Sequence, residues 1–230
     1  MPELIVPNRR GFIGGAFAAA GALALPACTT YGGAMSLTEA IRRLLLLSSE
    51  RAFVRLSAPG GFWDQQVAQI GLNGYFGNRG TVLSQILTST LFKRRLEDQV
   101  ARIAVDATYR AAPIVTDAVR TIGFGNALAL LHGGPSAATA FLRQEMGLRL
   151  IDLLVPEIGN ALRIAQDPLI GQLIGGLTGV DVGGVASSFA GRVENTIWGE
   201  IGREEADIRA NPRASGDPLL TAALAANAAF

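Results

Sequence analysis

One thiol, one imidazole and nineteen carboxyl groups are what this chain offers for chemistry. The imidazole is His132; a lone histidine excludes a multi-histidine metal site and leaves one candidate base for a nucleophilic triad. It stands just before Gly133-Gly134, where a helix-ending histidine meets the negative end of the helix dipole, so capping is favoured over catalysis. Asp106, Asp117, Glu145, Asp152 and Glu157 are spread along the middle of the chain. A glycosidase-like mechanism needs two of them to face each other, and their spacing singles out no two. Glu205 and Arg209 stand at i and i+4, the favourable order for a helical ion pair, and Asn211-Pro212 follows as a turn. Glu205, Arg209 and Asn211 are therefore the candidate structural or partner-facing residues, with a clasp fixing the helix exit as the favoured role. No residue is assigned a catalytic or metal-ligating role and no cofactor is expected. Phosphate loop, dinucleotide fingerprint, GxSxG elbow and CxxC pair do not occur in the sequence.

The thiol is Cys28, at the end of "RRGFIGGAFAAAGALALPAC". The apolar run before it holds about twelve residues, where a bilayer core needs ~20. It matches the apolar region of a secretory signal, with Arg9 and Arg10 as the positive flank. Arg9-Arg10-x-Phe12 resembles a twin-arginine export signal, although Asn8 and Gly14 depart from its usual residues. Leu25-Pro26-Ala27-Cys28 resembles a bacterial lipobox, with Pro26 its least typical member. That resemblance implies that residues 1–27 are removed and that Cys28 becomes the first mature residue, carrying diacylglycerol on sulfur and an acyl chain on nitrogen. Each buried methylene contributes about 0.8 kcal/mol, so two or more chains tether firmly where one does not. Thr29 follows in place of an inner-membrane-retaining Asp, which implies the periplasmic face of the outer membrane.

The elements behind this leader read as helices. Residues 28–35 are small and glycine-containing, a lipidated tether, and 36–230 form the domain. Ser36-Leu37-Thr38-Glu39 is a capping-box pattern that opens a helix to about Leu56, where "SAPGG" stops it. Residues 60–80, dense in glycine and aromatics, read as loop with short structured pieces. A helical period starts at Thr81 and is expected to break at Pro113. A new segment then runs to Gly123. Asn126 to Leu131 is a short helix. Ser136 is placed to cap the next, which the periodicity carries to Pro156 and onward to Asp167-Pro168. Residues 169–184 are apolar but broken by glycine, either a buried joint or a lip for an acyl chain or membrane. Val185, Phe189, Val193, Ile197, Ile201 and Ile208 line one side of a long amphipathic helix that Asn211-Pro212 ends, and a small helix closes the chain. No strand alternation and no fixed repeat occurs, so the fold class is all-α: a multi-helix domain without a sheet.

Composition narrows the roles. Hydrophobic residues are 49% of the chain and charged residues 17%, which suits a packed domain rather than a disordered polyampholyte. Formal charge is +1, and loss of Arg9, Arg10 and Glu3 with the leader leaves eighteen basic and eighteen acidic side chains. No net field then favours nucleic acid. With Cys28 lipidated, no disulfide can form and the core alone must hold the domain.

Four blocks carry a family resemblance: "GGF" at 60–62, "HGGPSAATAFLR" at 132–143, "VPEIG" at 155–159 and "EEADIRANPRA" at 204–214. From Leu37 to Leu220 the chain resembles a bacterial envelope family known as domain of unknown function family 4197. The last block is the most specific, the family carrying Glu-x-x-Ile-Arg-x-Asn/Asp-Pro there. The chain departs from the family at "VDATYRAAP", 105–113, where Tyr109 or Arg110 replaces an expected carboxylate. The resemblance implies small, helical, exported proteins and brings no activity. The expectation is a non-enzymatic lipoprotein that binds an apolar ligand or an envelope protein and reaches the membrane through Cys28. The alternative is a carboxylate-dependent envelope hydrolase.

Overall fold

The computed structural model describes residues 29–70, 90–163 and 182–225. Arg9, Arg10, Phe12 and Cys28, the helix start at Thr81 and the apolar run at 169–180 lie outside them. The chain divides into two compact units, Met1–Met35 and Ser36–Phe230. Among the described residues there are eight α-helices, one 3-10 turn and no strand, so the fold is all-α. None of these helices is long and apolar enough to cross a membrane.

Helix α1 (Thr29–Leu56) corrects the start expected at the capping box: residues 29–35, expected as a tether, are helical, and Ser36-Leu37-Thr38-Glu39 lies inside the helix and does not open it. Ile41, Leu44, Leu45, Ala52, Phe53 and Leu56 are buried along it at helical spacing. It ends where Ser57 N–H donates to the Phe53 carbonyl and Gly60 takes φ 65°, a left-handed conformation that glycine adopts without a steric penalty.

Of the short structured pieces expected at 60–80, Phe62–Ile70 is helix α2, and residues 71–80 lie outside the described residues. Trp63 and Val67, one turn apart, are fully packed, and Trp63 Nε1 donates to Thr108 Oγ1 at 3.1 Å. Burial of this one face outweighs the turn-forming composition around it.

Helix α3 (Thr90–Thr121) runs straight through the break expected at Pro113. Proline removes one hydrogen bond and frees the carbonyl four residues back, on Tyr109. Pro113 and Tyr109 are both exposed, so water can satisfy that carbonyl. Ala107, Ala111, Val115 and Val119 stay buried on the opposite face and hold the helix together on both sides of the ring.

Helix α4 (Ala127–Leu131) is short and begins as expected, Asn126 Oδ1 accepting from Ala129 N–H at 3.2 Å. The single helix expected from Ser136 to Pro156 is two: α5 (Ala137–Met146) and α6 (Arg149–Arg163). They part at Gly147, which has φ 55° and closes α5 by donating to the Arg143 and Gln144 carbonyls. Pro156 sits inside α6 on its exposed side.

Helix α7 (Val182–Ala210) buries Phe189, Val193, Ile197, Ile201 and Ile208, the stripe read from the sequence. It packs along α6 and α5 and also reaches α3. At Gly159 an added Cβ would already stand 3.6 Å from Ala186 Cβ, which shows how closely α6 and α7 approach.

A 3-10 turn (Pro212–Ser215) follows, then α8 (Pro218–Ala225). Asp217 caps α8, its Oδ1 accepting from Leu219 and Leu220 N–H at 2.8 and 3.2 Å. Arg43 of α1 reaches Asp217 at 3.2 Å. Burial pushes the Asp217 carboxyl up, but the Leu220 N–H, Arg43 and the Leu219 N–H outweigh it and hold the group below its ordinary value.

Candidate functional site

Glu205 and Arg209 lie one turn apart near the end of α7, on the stripe that begins at Gly202. The helix can come close there because position 202 has no side chain: a Cβ would stand 3.2 Å from Ser136 Cβ. The approach drives Glu205 into the interior, where it is 0% exposed. One carboxylate oxygen accepts from Ala138 N–H at 3.0 Å. The other accepts from Thr139 N–H at 2.7 Å and from Thr139 Oγ1 at 2.6 Å. These are free N–H groups of the first turn of α5, the positive end of that helix.

Arg209 completes the arrangement. Its guanidinium lies 2.7 Å from Glu205 and donates to the Leu131 and Leu130 carbonyls at 2.7 and 2.8 Å. Those carbonyls end α4, so the cation sits at the negative end of one helix and the anion at the positive end of the next. One ion pair from α7 therefore staples both arms of the α4–α5 elbow. A pair at 0% and 10% side-chain exposure would ordinarily lose more in desolvation than it gains. Here both carboxylate oxygens are hydrogen-bonded and the guanidinium has two backbone acceptors besides its partner.

The elbow corrects one expectation and keeps another. Ser136 holds the N-cap position, yet its side chain makes no capping hydrogen bond, because the Glu205 carboxylate already occupies those donors. His132 is the C-cap residue of α4, exposed, with its N–H donating to the Leu128 carbonyl. Gly133 permits the bend, since a Cβ there would lie 2.5 Å from Ala137 Cβ. Asn211 does not join the pair: it is exposed, and its backbone carbonyl accepts from Ala214 N–H in the turn after α7.

A second cluster faces solvent. A cleft of about 330 Å³ opens between α3 and α6. Arg102, Asp106 and Arg110 line it from α3 at successive i+4 steps, and Glu157 and Asn160 line it from α6. Arg110 Nε is 3.3 Å from Glu157. The side chains of Arg102 and Asp106 pair with no other described residue. Ile103, Ala107 and Ile158 form an apolar floor. Of the five carboxylates weighed as acid–base candidates, Asp106 and Glu157 are brought together here, and Asp117, Glu145 and Asp152 are exposed outside the cleft.

The family model described as "Protein of unknown function (DUF4197)" matches residues 33–225. The chain belongs to this family. No curated protein and no solved structure matches it. Two of the blocks behind the resemblance, 132–143 and 204–214, prove to be the two sides of the clasp, one giving the α4–α5 elbow and the other Glu205 and Arg209. The block at 155–159 gives Ile158 and Gly159 to the core and Glu157 to the cleft. Sequence reasoning missed the partners of the clasp, which are backbone groups of Leu130, Leu131, Ala138 and Thr139. It also missed the cleft, although the 102–106–110 spacing on one helix face was a readable signal.

Proposed function

We propose that this protein is a lipid-anchored envelope module of non-enzymatic character. It is tethered through Cys28 to the periplasmic face of the outer membrane and binds a ligand or an envelope protein. The observation that carries this reading is the clasp. The most specific block of the family, at 204–214, closes on a backbone elbow, with Glu205 wholly buried and all its acceptor sites engaged internally. A carboxylate so placed organises a scaffold and cannot reach a substrate. The described residues offer an open, charge-lined cleft suited to a polar partner.

Native mass spectrometry of the full protein extracted from membranes is expected to find the lipid mass on Cys28 together with a bound companion. A bare chain with neither overturns the proposal. Labelled palmitate should enter the wild type and not Cys28→Ser.

The hydrolase reading keeps one specific support, the shared position of Asp106 and Glu157 in a single cleft. It would be favoured if Glu157→Gln abolished turnover of an envelope polymer while leaving the helical fold intact.

A further inference from the structure

The α3–α6 cleft carries two cations and two anions, of which only one pair is joined. Arg110 is matched by Glu157, 3.3 Å away. Arg102 and Asp106 are left, one cation and one anion, both exposed and both without a side-chain partner among the described residues. They stand four residues apart on one helix, so their Cα atoms are about 6 Å apart along its axis. A simple anion such as phosphate fits this poorly, because Asp106 stands between the two arginines and repels it. A simple cation meets the converse difficulty. A ligand carrying both signs, separated by a few ångströms, answers both groups at once.

The rest of the cleft suits the same ligand. Gln99 and Asn160 stand at its walls, each with amide donors and an acceptor able to pair with a peptide group. The apolar floor between them can take a small side chain. Its volume of about 330 Å³ lies at the lower end of the roughly 300–1,000 Å³ usual for small-molecule sites.

We infer that the α3–α6 cleft binds a zwitterionic ligand of the amino-acid or short-peptide class, with Arg102 holding its carboxylate and Asp106 its ammonium group. The inference rests on the reading of the domain as a binding module and names the ligand class for this charge-lined cleft.

The test is calorimetric titration of the full chain in detergent with the dipeptide alanyl-alanine, its N-acetylated form and its C-amidated form. The free dipeptide should bind. Acetylation should weaken binding about tenfold, as loss of a hydrogen bond between charged groups does. Asp106→Asn should weaken the free dipeptide by a similar factor and leave the acetylated form unaffected. Amidation and Arg102→Gln should stand in the same relation. Both side chains are exposed, so the variants should keep the wild-type circular dichroism.

Absence of binding overturns the inference, as does binding that neither variant alters. So does a protein captured by a crosslinker at position 106 whose capture the dipeptide fails to prevent. If the dipeptide is bound in this pattern and then hydrolysed, the cleft assignment stands and the non-enzymatic reading falls. If it does not bind while Cys28 is lipidated and a partner is held, only the cleft assignment falls.

Discussion

Two glutamate–arginine pairs in this molecule share the same chemistry and differ in almost everything else. Glu205–Arg209 is closed at 2.7 Å with side-chain exposures of 0% and 10%, and Glu157–Arg110 at 3.3 Å with 34% and 60%. The first pair is local in sequence yet reaches backbone groups 66 to 79 residues away. The second joins two helices across open solvent. Burial turns the same ion pair from a screened surface contact into a part of the architecture, because the interior offers no water to replace a lost partner. Solvent exposure leaves the other pair, and Arg102 and Asp106 beside it, screened by water and replaceable one by one. The block at 204–214 therefore marks how the domain holds itself together.

The comparison breaks most readily at Glu205. Glu205→Ala leaves a guanidinium and two helix N–H groups without their acceptor and should cost about 3–5 kcal/mol, read by urea denaturation. A loss under about 1 kcal/mol would show that the clasp is no more than a surface pair. Gly133→Ala attacks the elbow from its other side. The new Cβ would meet Ala137 Cβ at 2.5 Å and the Ala129 carbonyl at 3.1 Å, so a loss of about 1–3 kcal/mol is expected from overpacking.

Asp217 lies between the two extremes, partly exposed and bonded to two N–H groups and Arg43. Asp217→Ala should cost about 1 kcal/mol at neutral pH as a lost helix cap. The carboxyl is held below its ordinary value in the folded chain. Its charge-dependent stabilisation is therefore complete above the unfolded value near 3.9 and is lost as pH falls through the folded value. The gap between wild type and variant should narrow below about pH 4, and a gap that widens on acidification would contradict the assigned sign. The smallest effect belongs to Glu157→Gln, within about 0.5 kcal/mol for a solvent-screened pair. If this variant matched Glu205→Ala in thermal melts, the distinction between the two pairs would collapse.

Much of the helical content was legible because its signals are local. The stripe from Phe189 to Ile208 needs only near neighbours. The errors fell where local and distant forces oppose each other. Pro113 reads as a break until its exposed flank and the buried face opposite are known. Gly147 sits inside a periodic run and ends a helix only because the chain must turn there. Phe62–Ile70 lies where composition gives only unplaced short pieces, and its helix is fixed because Trp63 is taken into the core.

By itself the sequence established the all-α class, the i,i+4 order of Glu205 and Arg209 and the choice of a clasp as their favoured role. These follow from helical spacing, which depends on residues within a turn or two. Only the tertiary structure decided what the pair clasps and which carboxylates meet. The Leu130 and Leu131 carbonyls and the Ala138 and Thr139 amides carry no side-chain identity that a sequence could display. Backbone groups are the same in every residue, and only the packing of α7 on the elbow selects which four of them are left free for Glu205 and Arg209.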